Sequence, residues 1–266
     1  MQILGLTNTI HAPEKGLWLC GDEAGRSRQV LELDGTNDYG LTGFFDDLEG
    51  ANSFTFGMRF KLNGAQASAT KLFQHGDSVF NTPFMLIQLI TSGGDQHIRV
   101  NWFHGSQQSS MNSTPDFTSG ANQYIWINLV IRWDKDTDSG RLSYKTSNMN
   151  DWDLSTISSY NHTSAIPAMG GTDAQQKCVF GAWHLEAIGQ LGFFDGKMAD
   201  IALWDKRLED GEADMYFAGI SPTGIANSNL KHYWTCSGDG EDHGTAATRD
   251  EADVSVINGA DFEGSP

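Results

Sequence analysis

A chain that alternates large apolar and polar side chains over ten residues has few ways to fold. The stretch SFTFGMRFKL, residues 53–62, sets Phe54, Phe56, Met58, Phe60 and Leu62 on one side and Ser53, Thr55, Gly57, Arg59 and Lys61 on the other. A period of two is that of a β-strand, whose successive side chains point to opposite faces, and the segment reads as a half-buried strand. WINLVIRWD at 126–134 repeats the pattern with Ile127, Leu129, Ile131 and Trp133 inward, and Leu142 and Tyr144 carry it across the next turn. KMADIALWD at 197–205 reads as another strand, with Ile201 and Leu203 on one face.

Further strands are expected at 17–20, 29–34, 70–75, 83–90, 96–104, 178–183, 230–235 and 253–258. Turn-rich segments separate them: GAQAS, TSGGDQ, GSQQSSMNSTPDFTSG and MGGTDAQQ. One short helix is expected within LEDGEADMYFAG, 208–219, where Leu208, Met215 and Phe217 can cover one edge and Gly219 is a stop. Many single-faced strands and almost no helix mean an all-β fold. An antiparallel two-sheet β-sandwich buries such strands most simply.

With 266 residues, 39% hydrophobic and 11% aromatic, the chain can fill one sizeable core. Thirty glycines against six prolines suit tight turns. From Ser237 the composition becomes acidic and poor in aromatics. The chain therefore divides into a sandwich over 1–236 and an acidic extension over 237–266. The VSVI segment of that extension reads as one last strand, packed on the sandwich or on a neighbour.

Charge excludes some partners. A formal net charge of −17 repels phosphate backbones and anionic membrane surfaces, so no nucleic-acid partner and no membrane insertion are expected. The longest apolar run, FMLIQLI at 84–90, is too short to span a bilayer. The opening MQILGLTNTIHAPEKG has neither a basic nor a long apolar region, so no signal peptide is read there. The two N-x-S/T sequons, at Asn112 and Asn161, carry no weight without one. Three cysteines, Cys20, Cys178 and Cys236, are read as buried free thiols rather than a disulfide framework.

Four motifs then stand in order over residues 31–219. They are LELDGTNDYG at 31–40, the strand SFTFGMRFKL, the Trp-led hairpin WINLVIRWDKDTDSGRLSYK, and the closing run FFDGKMADIALWDKRLEDGEADMYFAG. Together they resemble laminin-G-like, or concanavalin A-like, lectin–glucanase domains. The resemblance implies a jelly-roll sandwich with one short helix beside the closing strand. It implies no single function, because that sandwich carries lectins, adhesion modules, glycan enzymes and virion proteins alike. The chain departs from the family after the acidic hairpin. There SNMNDWDLST replaces the usual strand and Asp-Gly turn, so this loop is private to the protein.

Candidate sites follow. Asp134, Asp136 and Asp138 alternate in DKDTDSG. An EF-hand loop counted from Asp134 would need Gly at its sixth position and Glu at its twelfth, where Ser139 and Lys145 stand. The stretch reads as a hairpin turn, and surface calcium on the three aspartates stays open. No other cofactor is expected. Some family members bind calcium beside their glycan, but no matching ligand set is evident, and Asp195 and Asp200 read as turn chemistry at a strand start.

Sandwich glycosidases carry a Glu-x-Asp-x-x-Glu strand, which this chain lacks. Its nearest cluster, Glu209, Asp210 and Glu212, sits in the helical segment. The lyase-type motifs are also incomplete: Gln96-His97 lacks the intervening residue, and YFAG at 216–219 lacks the lysine. For glycan contact, Trp152 among Asn150, Asp151 and Asp153 offers an aromatic face with polar partners, and Trp102 beside Asn101 is a second candidate.

The resulting expectation is a non-catalytic sandwich module. It would act as a structural, decoration or surface-binding protein of a larger assembly, a bacteriophage capsid or tail, with cell-surface glycans as further partners. Its place would be a virion surface or the extracellular space. A free lectin or adhesion module is the alternative, and a glycan-active enzyme of this fold is the third reading.

Overall fold

In the computed structural model, the structure describes residues 30–44, 47–76, 84–92, 94–104, 107–112, 123–137, 140, 142–146, 162–166, 177–185, 189–236, 243–244, 255–257 and 261–263. Its strands, in chain order, begin with β1 (Val30–Asp34), β2 (Tyr39–Phe44), β3 (Ser53–Leu62), β4 (Lys71–His75) and β5 (Phe84–Ser92). Next come β6 (Asp95–His104), β7 (Gln107–Asn112), β8 (Trp126–Asp134), β9 (Leu142–Thr146) and β10 (Lys177–Phe180). The remainder are β11 (Trp183–Leu185), β12 (Gly189–Leu191), β13 (Asp195–Trp204), β14 (Leu230–Trp234), β15 (Ser255–Ile257) and β16 (Asp261–Glu263). The helix α1 spans Asp210–Phe217.

The architecture is an antiparallel two-sheet sandwich of the jelly-roll kind. The first sheet runs β16-β1-β13-β3-β8-β9, with β14 continuing alongside β13 past the end of β1. The second runs β15-β2-β10-β4-β5-β6-β7. The hairpin β11-β12 stands apart from both ladders.

The alternating residues meet between the sheets as their spacing requires. Phe54, Phe56, Met58, Phe60 and Leu62 join Ile127, Leu129, Ile131 and Trp133 in one buried cluster. Phe73, Met85, Ile87, Ile98, Val100, Trp102 and Phe180 enter it from the second sheet. Aromatic rings bridge the layers: Phe56 and Phe73 lie 4.3 Å apart, Phe54 and Trp102 5.0 Å, and Phe180 and Trp234 5.3 Å. Such pairs add about 0.5–1.5 kcal/mol each beyond their burial. Cys178 and Cys236 are buried free thiols, as expected; Cys20 lies outside the described residues.

One expectation fails here. The polar face of β3 is not exposed: Thr55 is buried completely and Arg59 nearly so. A second apolar cluster of Val130, Ala202, Trp204, Leu208, Ala213, Tyr216, Phe217, Ile225, Leu230 and Tyr233 covers it. The helix packs through Ala213, Tyr216 and Phe217, while Met215 points to solvent. It therefore seals a face of the first sheet rather than an edge, and it does so through residues other than Met215. Gly57 makes the close approach feasible, because a Cβ there would meet Tyr216 Cζ at 3.1 Å and Trp204 Cζ3 at 3.3 Å.

Beneath α1, Thr55, Arg59 and Asp200 bond to the covering segment and to each other. Thr55 Oγ1 donates to the Lys206 carbonyl at 2.9 Å and accepts the Leu208 N–H at 2.8 Å. Arg59 Nη1 meets Asp200 Oδ2 at 2.8 Å, and its Nη2 donates to the Tyr216 carbonyl at 2.9 Å. Tyr233 donates its hydroxyl to Asp200 Oδ1 at 2.8 Å. Asp200 is therefore not a strand-start turn residue. It sits mid-strand in a bulge of β13, at φ +49°, where the register against β3 shifts between Ala199 and Ala202. The bulge resets the alternation, so Met198 and Ile201 both reach the main core.

The acidic tail supplies two short strands rather than one. β15 lines the β2 edge of the second sheet and β16 lines the β1 edge of the first.

Candidate functional site

With α1 over the outer face of the first sheet, the outer face of the second becomes the place to look. Ile87, Leu89, Ile98 and Val100 face the core, so Gln88 and Arg99 face outward. Register then aligns four polar side chains across four strands. Lys71 on β4 stands opposite Gln88 on β5, Gln88 opposite Arg99 on β6, and Arg99 opposite Asn112 on β7. At the usual strand spacing, Lys71 and Arg99 stand roughly 10 Å apart. The next row places Asn101 opposite Ser110.

Side-chain bonds tie these rows together. Lys71 Nζ donates to Gln88 Oε1. Arg99 Nε donates to Asn112 Oδ1 at 2.9 Å, and Ser110 Oγ donates to Asn101 Oδ1 at 2.8 Å. The Tyr144 hydroxyl, reaching from β9 of the first sheet, donates to the Asn112 carbonyl and fixes that edge. Lys71 and Gln88 are buried, whereas Arg99, Asn101, Ser110 and Asn112 are half-buried.

The hairpin β11-β12 helps to cover the Lys71 end. Lys71 N–H donates to the Gly192 carbonyl at 2.7 Å, and the Lys71 ammonium lies 5.0 Å from the centre of the Trp183 ring. Burial lowers the Lys71 pKa to about 8. The ring face offsets part of the lost hydration, since an ammonium is attracted to the π-cloud. The Trp183 indole N–H is buried without an acceptor.

A second titratable pair lies in the opening motif. Gly35, at φ +73°, turns the chain so that Asp34 Oδ1 accepts the Thr36 N–H at 2.8 Å. This bond, with further backbone bonds, lowers the Asp34 pKa, while burial and the neighbouring Asp34 charge raise that of Asp38.

Trp102 is not a ligand contact: it is 1% exposed, packed against Phe54 and 6.3 Å from Trp133. Its parity on β6 turns it inward, and Asn101 outward. Asn150, Asp151, Trp152, Asp153 and Asp138 lie outside the described residues. Asp134 Oδ1 accepts the N–H groups of Asp136 and Thr137 at 2.8 and 2.7 Å, and Asp136 pairs with Lys135 at 2.8 Å. This is hairpin-turn chemistry. No group of three metal-binding side chains occurs among the described residues.

The carboxylates at the start of α1 have structural partners. Asp210 pairs with buried Arg132 at 2.5 Å, and Glu212 pairs with Lys206 and accepts the Glu209 N–H. Tyr216 donates to the Asp200 carbonyl at 2.7 Å, and Gln96 donates to the Gln66 carbonyl at 3.1 Å.

No family model and no curated protein matches the chain. Solved structures match its fold. A Bacteroides ovatus ATCC 8483 protein assigned to carbohydrate binding superposes with a TM-score of 0.56 at 13% identity, over 87% of this chain and 58% of that one. The enzymatically active domain of tailspike protein 2 from bacteriophage CBA120 gives 0.52 at 15% identity, over 77% of this chain and 29% of that one. The CBM40 of the Ruminococcus gnavus IT-sialidase, bound to α2,6-sialyllactose, gives 0.51 at 11% identity, over 70% and 94%. The chain thus spans 58% of the Bacteroides protein and 29% of the tailspike chain. At these identities the likeness shows the sandwich fold.

Proposed function

We propose that the chain is a non-catalytic carbohydrate-binding sandwich module whose ligand face is the outer surface of the second sheet. The observation that carries this reading is the half-exposed polar row at the β6-β7 end, with α1 sealing the opposite outer face. A ligand site combines a few placed hydrogen-bonding side chains with an aromatic surface. Arg99, Asn101 and Asn112 supply the first, and half-buried Trp183 lies at the inner end of the same face. The carbohydrate-binding and sialyllactose-bound neighbours support the reading by fold.

A setting in a larger assembly, a phage capsid or tail, is a second proposal. The fold shared with a phage tailspike supports it, as does the strong acidity. The loop around Trp152, with Asn150, Asp151 and Asp153, remains a rival contact.

The test is a glycan array on the purified full chain, with calcium and with EDTA, for the parent protein, Asn101→Ala and Trp152→Ala. Reproducible binding, weakened by Asn101→Ala and indifferent to Trp152→Ala, is expected. A blank array in both buffers would refute glycan binding and leave the structural role. Loss only in Trp152→Ala would move the site, and loss in EDTA would return the aspartate loop as a metal site.

A further inference from the structure

We infer that the saccharide taken by this face is acidic, bearing a carboxylate or a sulfate ester; this rests on the glycan-binding reading above. The first observation concerns counter-ions. The chain has 34 acidic residues against 17 lysines and arginines. On and beside the first sheet, cations stand against carboxylates: Arg59 with Asp200, Lys197 with Glu32, Lys145 with Asp214 and Lys231 with Asp205. On the outer face of the second sheet, Lys71 and Arg99 are held instead by amide oxygens of Gln88 and Asn112. An amide fixes a cation in place without neutralising it. Among the described residues this row holds two cations and no carboxylate, an arrangement that favours an anion there.

The second observation concerns hydrogen-bond polarity. Gln88, Asn101 and Asn112 each turn their side-chain oxygen toward a protein donor: Lys71, Ser110 and Arg99. Half-buried Asn101 and Asn112 then keep their NH2 groups, two donors each, for a ligand, while Gln88 is buried and serves to hold Lys71. Arg99 engages its Nε with Asn112, so Nη1 and Nη2 remain as a fork for a carboxylate or sulfate. The row therefore offers donors and few acceptors. A neutral sugar hydroxyl both gives and takes a hydrogen bond, and its proton would find little to accept it here. An anion gives none and accepts several.

Lys71 adds charge from beneath the Trp183 ring. With its pKa lowered to about 8, it still holds its proton at neutral pH. Arg99 is the exposed grip and Lys71 the buried second charge.

The experiment is calorimetric titration of the full chain with matched oligosaccharides: a neutral one, its uronic-acid counterpart and its sulfated counterpart, at low and high salt. The acidic members should bind at least tenfold more tightly, and added salt should weaken them alone. Arg99→Gln should remove that preference, and Arg99→Lys should restore part of it, in variants whose thermal unfolding matches the parent. Preference for only one acidic member identifies the anion. A neutral member binding as tightly as the acidic ones would overturn the inference and leave the glycan reading intact. No binding by any member would overturn both.

Discussion

The ion pair beneath α1 allows a stringent test of how the outer layer is attached. Arg59 and Asp200 are 2% and 5% exposed, and their charged atoms meet at 2.8 Å. Asp200→Asn removes one negative charge and little else. Asparagine keeps nearly the same shape and, like aspartate, tolerates the left-handed conformation that φ +49° demands. Tyr233 retains an oxygen to donate to. The buried guanidinium of Arg59 then loses the counter-charge of Asp200, which costs about 3–5 kcal/mol. Against a total stability of about 5–15 kcal/mol this is a large fraction. At about 2–4 °C per kcal/mol for a domain near this size, the melting temperature should fall by roughly 10 °C. Urea and thermal unfolding followed by tryptophan fluorescence would measure it. Adding Arg59→Met should recover much of the loss, because an apolar side chain replaces the stranded charge. A loss below about 1 kcal/mol in the single variant would show that the pair does not hold the layer together.

Two further outcomes follow from other sites. Lys71 has a pKa of about 8 in the folded chain against 10.5 for a free lysine. The unfolded chain therefore holds a proton that the folded chain has released between those values, and stability rises with pH through that window. The gap of about 2.5 pH units corresponds to roughly 3 kcal/mol, so Lys71→Met should be more stable at neutral pH by up to that amount. It should also lose this part of the pH slope; identical slopes in both proteins would refute the burial argument. Gly57→Val would push branched methyls into the Tyr216 and Trp204 rings, and a cost of about 1–3 kcal/mol, with a changed near-ultraviolet tryptophan signal, is expected.

How far the fold was legible depended on which face of a strand carried the signal. The strands at 53–62 and 126–134 stand where the alternation placed them, because large apolar residues at every second position admit only one register against a core. The same alternation misled on Arg59 and Thr55. A polar residue in a strand reads as solvent-facing, and only a later segment, α1, determines that it is covered. β7, with the sequence QQSSMN, reads as a turn because its outward residues are polar. The ladder to β6 and one inward residue, Met111, make it a strand. The site was illegible for a related reason. Lys71, Gln88, Arg99 and Asn112 come from four strands, and only pairing register makes them neighbours. Trp102 reads as a surface residue beside polar Asn101, while its own parity on β6 turns it into the core.

The two strands of the acidic tail have a consequence for cooperativity. Each ladder holds only three residues, too few to stay bound alone, yet Ile257 and Asp261 are close in sequence. Seating one ladder confines the other to a small volume beside its own edge, which acts as an effective concentration in the millimolar range or above. The tail thus behaves as a two-toothed clasp across both layers. Loosening either tooth bares β1 and β2 together, turning two local weaknesses into one shared event.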